Sequence, residues 1–472
     1  MKKPFYLLSV LIIASMILTA CGGPAAPAQK VQVRWFVGLG TGTDPAQLAA
    51  QEKAVKDFNA SQNEIELVLE VVPYDSAKDT LATQIASGNG PDIIGPVGWG
   101  GSNAFYGQWL DMTPYLKDFD LSVFDPALVK FYQTEEGQVG LPFLVFPAAI
   151  YYIPAMFDEA GLAYPPAKYG DKYVLDGKEV EWNWDTLTEV AKRLTIDVNG
   201  NNATEPGFDK TQLLQVGFAP QWQTHVMYAG AYRAGAADIV EGNAKGSYSV
   251  NFPPSYKSAL KWYYDGMYGD QPYMATGPLA GAPEFGNGNL FNSGKAAMAM
   301  TPLWYTCCMD ALKQAGIEFQ IGVLPVGDDG KVHGRVDADT IRIWKGTKNP
   351  EAAFKALSYL IGPEGIKTLV VGSAEVPAAY SGLPANKNFQ DSYIKSVSER
   401  YPFVKPEGWQ IFLAGLAYPD APSAEQWQPN WNEAWARQQT FFDLIQNTTP
   451  DQLNFDAEWQ KMIDDLNAIY NK

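Results

Sequence analysis

Val31-Gln32-Val33-Arg34-Trp35-Phe36-Val37-Gly38-Leu39-Gly40-Thr41-Gly42-Thr43, residues 31–43, joins a β-rich run to a loop punctuated by glycine. Behind it Asp44 is placed to cap a helix, with Pro45 at its first position, that runs to about Asn59. Next, in Glu64-Ile65-Glu66-Leu67-Val68-Leu69-Glu70-Val71, residues Ile65, Leu67, Leu69 and Val71 share one face, the period of a strand. A second helix is expected from about Asp75 to Ala86, and Pro91-Asp92-Ile93-Ile94 opens a third strand. Strand, helix, strand, helix, strand predicts a parallel sheet covered on both faces. Such sheets bind ligands in loops at the carboxyl ends of their strands, here residues 38–43 and 95–102.

Upstream, Lys2 and Lys3 precede an apolar run over residues 5–20, too short to span a membrane and of the kind found in signal peptides. It ends in Leu18-Thr19-Ala20-Cys21-Gly22, a lipoprotein-type junction at which Cys21 is acylated and residues 1–20 are removed. An ordinary signal with an incidental cysteine is the alternative. Residues 21–30, with Pro24 and Pro27, read as a lipidated tether that holds a soluble domain at a membrane surface. Downstream, Asn349-Pro350 starts a helix carrying Ala353, Ala356, Leu357, Leu360 and Ile361 on one face, and Gly362-Pro363 stops it. A last helix is expected from Thr449-Pro450, burying Trp459, Met462, Ile463, Leu466 and Ile469.

The chain's 472 residues allow more than one domain. A net charge of −17 excludes a nucleic-acid partner, which needs clustered Lys and Arg. Of three cysteines one is the anchor, and adjacent Cys307 and Cys308 are expected as two buried thiols, a vicinal disulfide being the alternative. Two histidines, His225 and His333, exclude a His-rich metal site and leave little for a Ser-His-Asp triad. With 14 Trp, 25 Tyr and 23 Phe, the chain has aromatic rings for a core and for a cleft that stacks on flat apolar ligand faces.

Four segments, in this order, carry a resemblance. They are Leu81-Ala82-Thr83-Gln84-Ile85-Ala86-Ser87-Gly88-Asn89-Gly90-Pro91-Asp92-Ile93; Gly140-Leu141-Pro142-Phe143 with Met156-Phe157-Asp158-Glu159-Ala160-Gly161-Leu162; Phe291-Asn292-Ser293-Gly294-Lys295-Ala296-Ala297-Met298, leading to Trp304; and Leu324-Pro325-Val326-Gly327, followed by Asn349-Pro350-Glu351-Ala352-Ala353. Together the chain resembles the extracellular solute-binding proteins of ABC importers, the family that includes the maltose-binding proteins. The resemblance implies an α/β fold, a two-lobed periplasmic-binding-protein-like clamshell with three interlobe crossings near 147–150, 324–334 and 376–384. The first lobe would hold residues 31–149 and 335–378, the second 150–326 and 385–472. It also implies a monomer at the extracytoplasmic face that captures a carbohydrate, performs no chemistry, requires no cofactor, and hands its ligand to ABC permease transmembrane subunits. Residues 164–182 depart from the pattern as an insertion.

Trp304 stands where similar sugar-binding proteins present a stacking tryptophan, with core packing as its alternative. Trp99, between Gly98 and Gly100, lies on a strand-end loop where a large ring is poorly placed for a core. Thr41 and Asp44 flank the first loop, and Asp44 has helix capping as its other role. Tyr151 would line the cleft beside the first crossing. Trp222, Tyr232 and Arg233 are candidates from the second lobe, Arg233 reading equally as a surface charge. Asp337 or Asp339 could accept hydrogen bonds from sugar hydroxyls, and Trp427 and Trp431 could form a second stacking platform. Asp197, Asn199, Asn201 and Asp209 have the alternating oxygens of a Ca²⁺ loop, although the twelfth position is Phe208; an Asx-rich turn is the other reading. Two rival functions remain at this level: a secreted glycoside hydrolase with paired carboxylates, and the same fold binding a non-sugar solute.

Overall fold

The computed structural model describes residues 30–472 apart from positions 41, 44, 374 and 421. The expectations for the signal segment, Cys21, the tether up to residue 29, Thr41 and Asp44 lie outside the described residues.

Strand β1 (Val31–Val37) pairs in parallel with β2 (Ile65–Val71) on one side and β3 (Ile93–Val97) on the other. Helices α1 (Pro45–Ser61) and α2 (Tyr74–Ala86) make the two connections that the strand-helix alternation predicts. Val33, Trp35 and Val37 pack with Ala50, Ala54 and Phe58 of α1, while Phe36 packs with Ala77 and Leu81 of α2. One helix therefore covers each face, which is why β1 is continuously apolar and buried over its last three residues, Trp35, Phe36 and Val37. Beyond β3 the chain forms a short helix, α3 (Trp99–Asn103), where the sequence suggests an open loop.

A single twelve-residue strand, β4 (Leu141–Tyr152), organises the rest. Strands β5 (Ile196–Asp197), β6 (Leu213–Ala219), β7 (Ala296–Pro302), β8 (Gln320–Gly322), β9 (Val336–Ile343) and β10 (Leu383–Pro384) complete a ten-stranded sheet, ordered β2-β1-β3-β9-β4-β7-β6-β5, with β8 and β10 also on β4. The first half of β4 pairs with β9, from Leu141 opposite Ile341 to Pro147 opposite Val336. Its second half pairs with β7, from Ala148 opposite Pro302 to Tyr152 opposite Met298. β4 thus changes partner strands between Pro147 and Ala148. The chain changes halves again between β8, which pairs with residues 150–152, and β9.

The second lobe is completed by α4 (Val226–Ala234) and α5 (Pro254–Tyr268), and by α7 (Trp431–Asn447) and α8 (Phe455–Tyr470); α6 (Pro350–Leu360) belongs with β9. Helix α8 starts later than the sequence suggests, because the Asn454 side chain accepts from the Ala457 N–H and caps it there. Within 164–182 a two-stranded hairpin, Tyr173–Leu175 with Lys178–Val180, turns at Asp176 and Gly177, both at positive φ. Cys307 and Cys308 are joined in a disulfide, correcting the expectation of two thiols: both are half-buried at the end of a turn, with Cα atoms 3.8 Å apart. No helix among the described residues is long and apolar enough to cross a membrane.

Candidate ligand-binding site

The crevice between the lobes is built on β9. Asp337 and Asp339 are two residues apart on this strand and so share a face. Asp339 lies between two glycines of the first lobe: a Cβ added to Gly98 would stand 3.5 Å from one carboxylate oxygen, and one added to Gly40 would stand 3.6 Å from the other. These glycines keep both strand-end loops open around an acid only 9% exposed.

Arg335, 3% exposed, begins the same stretch. Its guanidinium pairs with Asp337, donates to Glu425 at 2.9 Å and to the Gln223 side-chain oxygen at 2.5 Å, and lies 3.7 Å from the centroid of the Tyr228 ring. Glu425 in turn accepts from the Tyr228 hydroxyl and, with its other oxygen, from the Gly100 backbone N–H at 2.9 Å. Asn103 donates to the Glu425 carbonyl at 2.7 Å, Lys78 donates to Asn432 at 2.7 Å, and Tyr106 packs on Trp427 at 5.1 Å. These contacts run from α2, α3 and the segment after α3 to the 425–432 segment of the second lobe. They form the seam along which the lobes meet.

On the second-lobe wall Trp304 donates from its indole nitrogen to Asp337 at 3.0 Å. Trp222 stacks on Trp304, with centroids 6.0 Å apart and planes 15° from parallel, and donates from its own indole to the Gly288 carbonyl. Trp304 is half-buried, whereas Trp222 is 42% exposed, so the open aromatic face belongs to Trp222 and Trp304 backs it. Trp222 has a φ of 57°, an uncommon backbone state for a bulky residue.

Three acids, Asp337, Asp339 and Glu425, lie within electrostatic reach of one another, and Arg335 pairs with Asp337 and Glu425. Burial pushes Asp339 up to about 8, with Asp337 and Glu425 adding to the effect. Burial also raises Asp337 to about 6 against the opposing pull of Arg335. Near neutrality Asp339 therefore carries a proton and can both donate and accept hydrogen bonds. Tyr74, at the start of α2, is 64% exposed. Its phenol is raised first by surrounding protein and then by the charges of Glu425, Asp75 and Asp339.

Among the residues singled out from sequence, the structure gathers Trp304, Trp222, Asp337 and Asp339. Trp99 borders the crevice, but its ring packs on Phe131 and Tyr132 and the Arg342 guanidinium lies 5.3 Å from its centre. Four candidates require correction. Tyr151 is core, enclosed by Phe291, Tyr305, Phe319 and Phe412, because β4 is buried on both faces. Tyr232 is 1% exposed on the inner side of α4 and donates to Gln223. Arg233 is held by Asp185 and Asp328 and lies over Trp262. Trp431 is 6% exposed and stacked on Trp435, leaving no open face. The Asp197 loop is a hydrogen-bonded turn: its carboxylate accepts from the backbone N–H groups of Asn199, Asn201 and Asp209, and Asp209 accepts from Thr211. Among the described residues no group of three or more His, Cys, Asp or Glu could hold a metal ion. Tyr74, Tyr228, Arg335 and Glu425 were not singled out; the one sequence cue was the clustered charge of Arg335 with Asp337 and Asp339.

A family profile described as "Bacterial extracellular solute-binding protein" matches residues 42–367. A relative in Streptomyces antibioticus, named an uncharacterized lipoprotein, is 22% identical over 378 residues, covering 79% of this chain and 76% of its own. Among solved structures, an ABC substrate-binding protein of Listeria monocytogenes in complex with cycloalternan superposes with a TM-score of 0.66 at 20% identity, covering 93% of this chain and 99% of its own. A cyclic alpha-maltosyl-1,6-maltose binding protein of Arthrobacter globiformis gives 0.65 at 16% identity, covering 94% and 100%.

Proposed function

Because the chain belongs to the bacterial extracellular solute-binding proteins, we propose that its solute is a neutral carbohydrate of more than one ring, captured between the lobes and delivered to an ABC permease. The chain is a binding protein and not an enzyme, which removes the hydrolase alternative. The observation that carries the ligand class is the open face of Trp222, backed by Trp304, beside a crevice of three acids and one arginine. A pyranose offers a C–H face to an indole and hydroxyls to carboxyl groups. An anionic solute would meet Asp337, Asp339 and Glu425 with one cation already paired to two of them, so sugar phosphates fit poorly. Closure follows from ligand bridging the walls, and the closed form is what the permease reads. The Leu18–Gly22 motif and the lipoprotein name of the Streptomyces relative support attachment through Cys21 to the outer face of the membrane.

The test is calorimetry with melting-temperature shifts against neutral oligosaccharides and sugar phosphates. At least one neutral oligosaccharide should bind and stabilise, without release of reducing ends, and sugar phosphates should not. Binding confined to anionic solutes would overturn this reading.

A further inference from the structure

The Trp222 ring takes its pose from two pieces of the second lobe. It stacks on Trp304 at 6.0 Å and meets Tyr305 edge-on at 5.4 Å, both in the turn Leu303–Cys308. Its indole nitrogen donates to the Gly288 carbonyl at 3.1 Å, in the loop before β7. Gln221, the preceding residue, donates to that same carbonyl at 2.9 Å. Gly286, Asn287 and Gly288 all have positive φ, the left-handed region that glycine and asparagine tolerate, so this loop belongs to no helix or strand.

Strand β7 separates loop and turn in the sequence, and Asn289 joins them in space. Its side-chain nitrogen donates to the Cys308 carbonyl at 3.1 Å, and its side-chain oxygen accepts from the Tyr305 hydroxyl at 2.5 Å. A carbonyl can only accept, so the amide has a single orientation here, and the tyrosine completes it by donating. Tyr305 is fully buried, so its hydroxyl cannot turn to bulk water instead. The far end of the turn is fixed independently: Cys307 and Cys308 are joined, and the Tyr401 hydroxyl donates to the Thr306 carbonyl at 2.8 Å. Asn289 thus bonds the loop that holds the Trp222 indole to a turn that is itself anchored.

We propose that Asn289 is a positioning residue for solute binding, clasping the Gly288 loop to the 303–308 turn and so setting the angle at which Trp222 presents its open face. It acts through Trp222 and not by touching the solute. The inference rests on the carbohydrate reading above and deepens it, by naming the side chain that sets the stacking platform.

The test uses Asn289→Ala and Tyr305→Phe, which keeps the ring against Trp222 and removes the donor. Each is labelled with 5-fluorotryptophan, and the Trp222 fluorine resonance is assigned by its loss in Trp222→Phe. In the ligand-free protein both variants should shift or broaden that resonance while urea titration shows the chain folded. Titrated with gluco-, manno- and galacto-oligosaccharides, Asn289→Ala should lose about three- to thirtyfold in affinity for each sugar that binds wild type. In a Trp222→Ala background the same change should cost less than about twofold, because the ring it acts through is gone. An equal loss in both backgrounds, or a Trp222 resonance identical to wild type, would overturn the proposal. Should wild type bind no sugar of the panel, the carbohydrate reading falls, and the ligand-free fluorine spectra by themselves decide whether Asn289 places Trp222.

Discussion

The Glu425 carboxylate accepts a hydrogen bond from the Gly100 backbone N–H at 2.9 Å, and these two residues come from opposite lobes. The other oxygen of the same carboxylate accepts from Tyr228 and Arg335, so one side chain ties Gly100 and the buried arginine of the crevice to the second lobe. Glu425→Ala removes this tie and leaves Arg335 with Asp337 as its remaining acidic partner. Bonds to charged groups of this kind contribute about 1.5–3 kcal/mol, so affinity should fall roughly ten- to hundredfold. The loss should appear in the dissociation rate measured by stopped flow, since the Glu425 bonds join the two walls of the crevice. An unchanged dissociation rate would remove Glu425 from the closure mechanism.

Asp339 gives the crevice a pH dependence of definite sign. Its ordinary value is 3.8 and its folded value about 8. Below about pH 4 both states keep the proton; between about 4 and 8 the folded chain retains a proton that the unfolded chain has released. Stability from this site therefore falls as pH rises through that window and changes no further above it. Asp337, raised to about 6, acts in the same direction over the lower part. In urea titrations the unfolding midpoint of Asp339→Asn should decline less steeply than that of wild type between about pH 5 and 8. Parallel profiles would show that Asp339 titrates normally in the folded chain.

Cys307 and Cys308 close a loop between neighbours, and the chain entropy removed by so short a loop is small. A chain beginning at residue 30 retains these two of the three cysteines. Denatured without reductant, it should show no free thiol, and after reduction it should show both. Reduction should shift unfolding by less than about 1 kcal/mol. Two free thiols before reduction would contradict the bond.

Local signals made half of the fold legible. The β1-α1-β2-α2-β3 unit follows from strand periods and a proline-led helix, and α6 from its apolar spacing and Gly362-Pro363 stop. The site was legible only in fragments, because its geometry depends on contacts between distant residues. Arg335 meets Glu425 across 90 residues, and no local pattern announces that pairing. Tyr151 misled for a related reason: flanking a crossing suggests a cleft, but all twelve residues of β4 are buried. Trp431 misled because a tryptophan on a helix stacks as readily on Trp435 as on a sugar.

Attachment through Cys21 has a simple test. Acylation requires the thiol, so Cys21→Ser should move the protein from the membrane fraction to the soluble one. The crevice lies far along the chain from this position, so ligand affinity should stay unchanged. Equal membrane retention of the variant would exclude Cys21 as the anchor.

Trp222 and Trp304 form one stack, yet they should respond differently to truncation. Trp222 is 42% exposed and Trp304 is half-buried, packed against the core, with its indole nitrogen on Asp337. Trp222→Ala should leave the ligand-free protein nearly as stable as wild type, because much of the ring already faces water. Its binding loss should be ~1–3 kcal/mol, roughly 5- to 150-fold, the scale of an aromatic contact made only with ligand present. Trp304→Ala should cost both quantities, since it removes buried area and takes from Asp337 its indole donor. Trp304→Phe separates the two effects: the ring remains, the donor is lost, and Asp337 should titrate higher still. Unfolding and binding measured on the same preparations distinguish these outcomes. If Trp222→Ala binds every sugar as wild type does, the open indole is not the platform, and the ligand face must be sought on the opposite wall, around Tyr74.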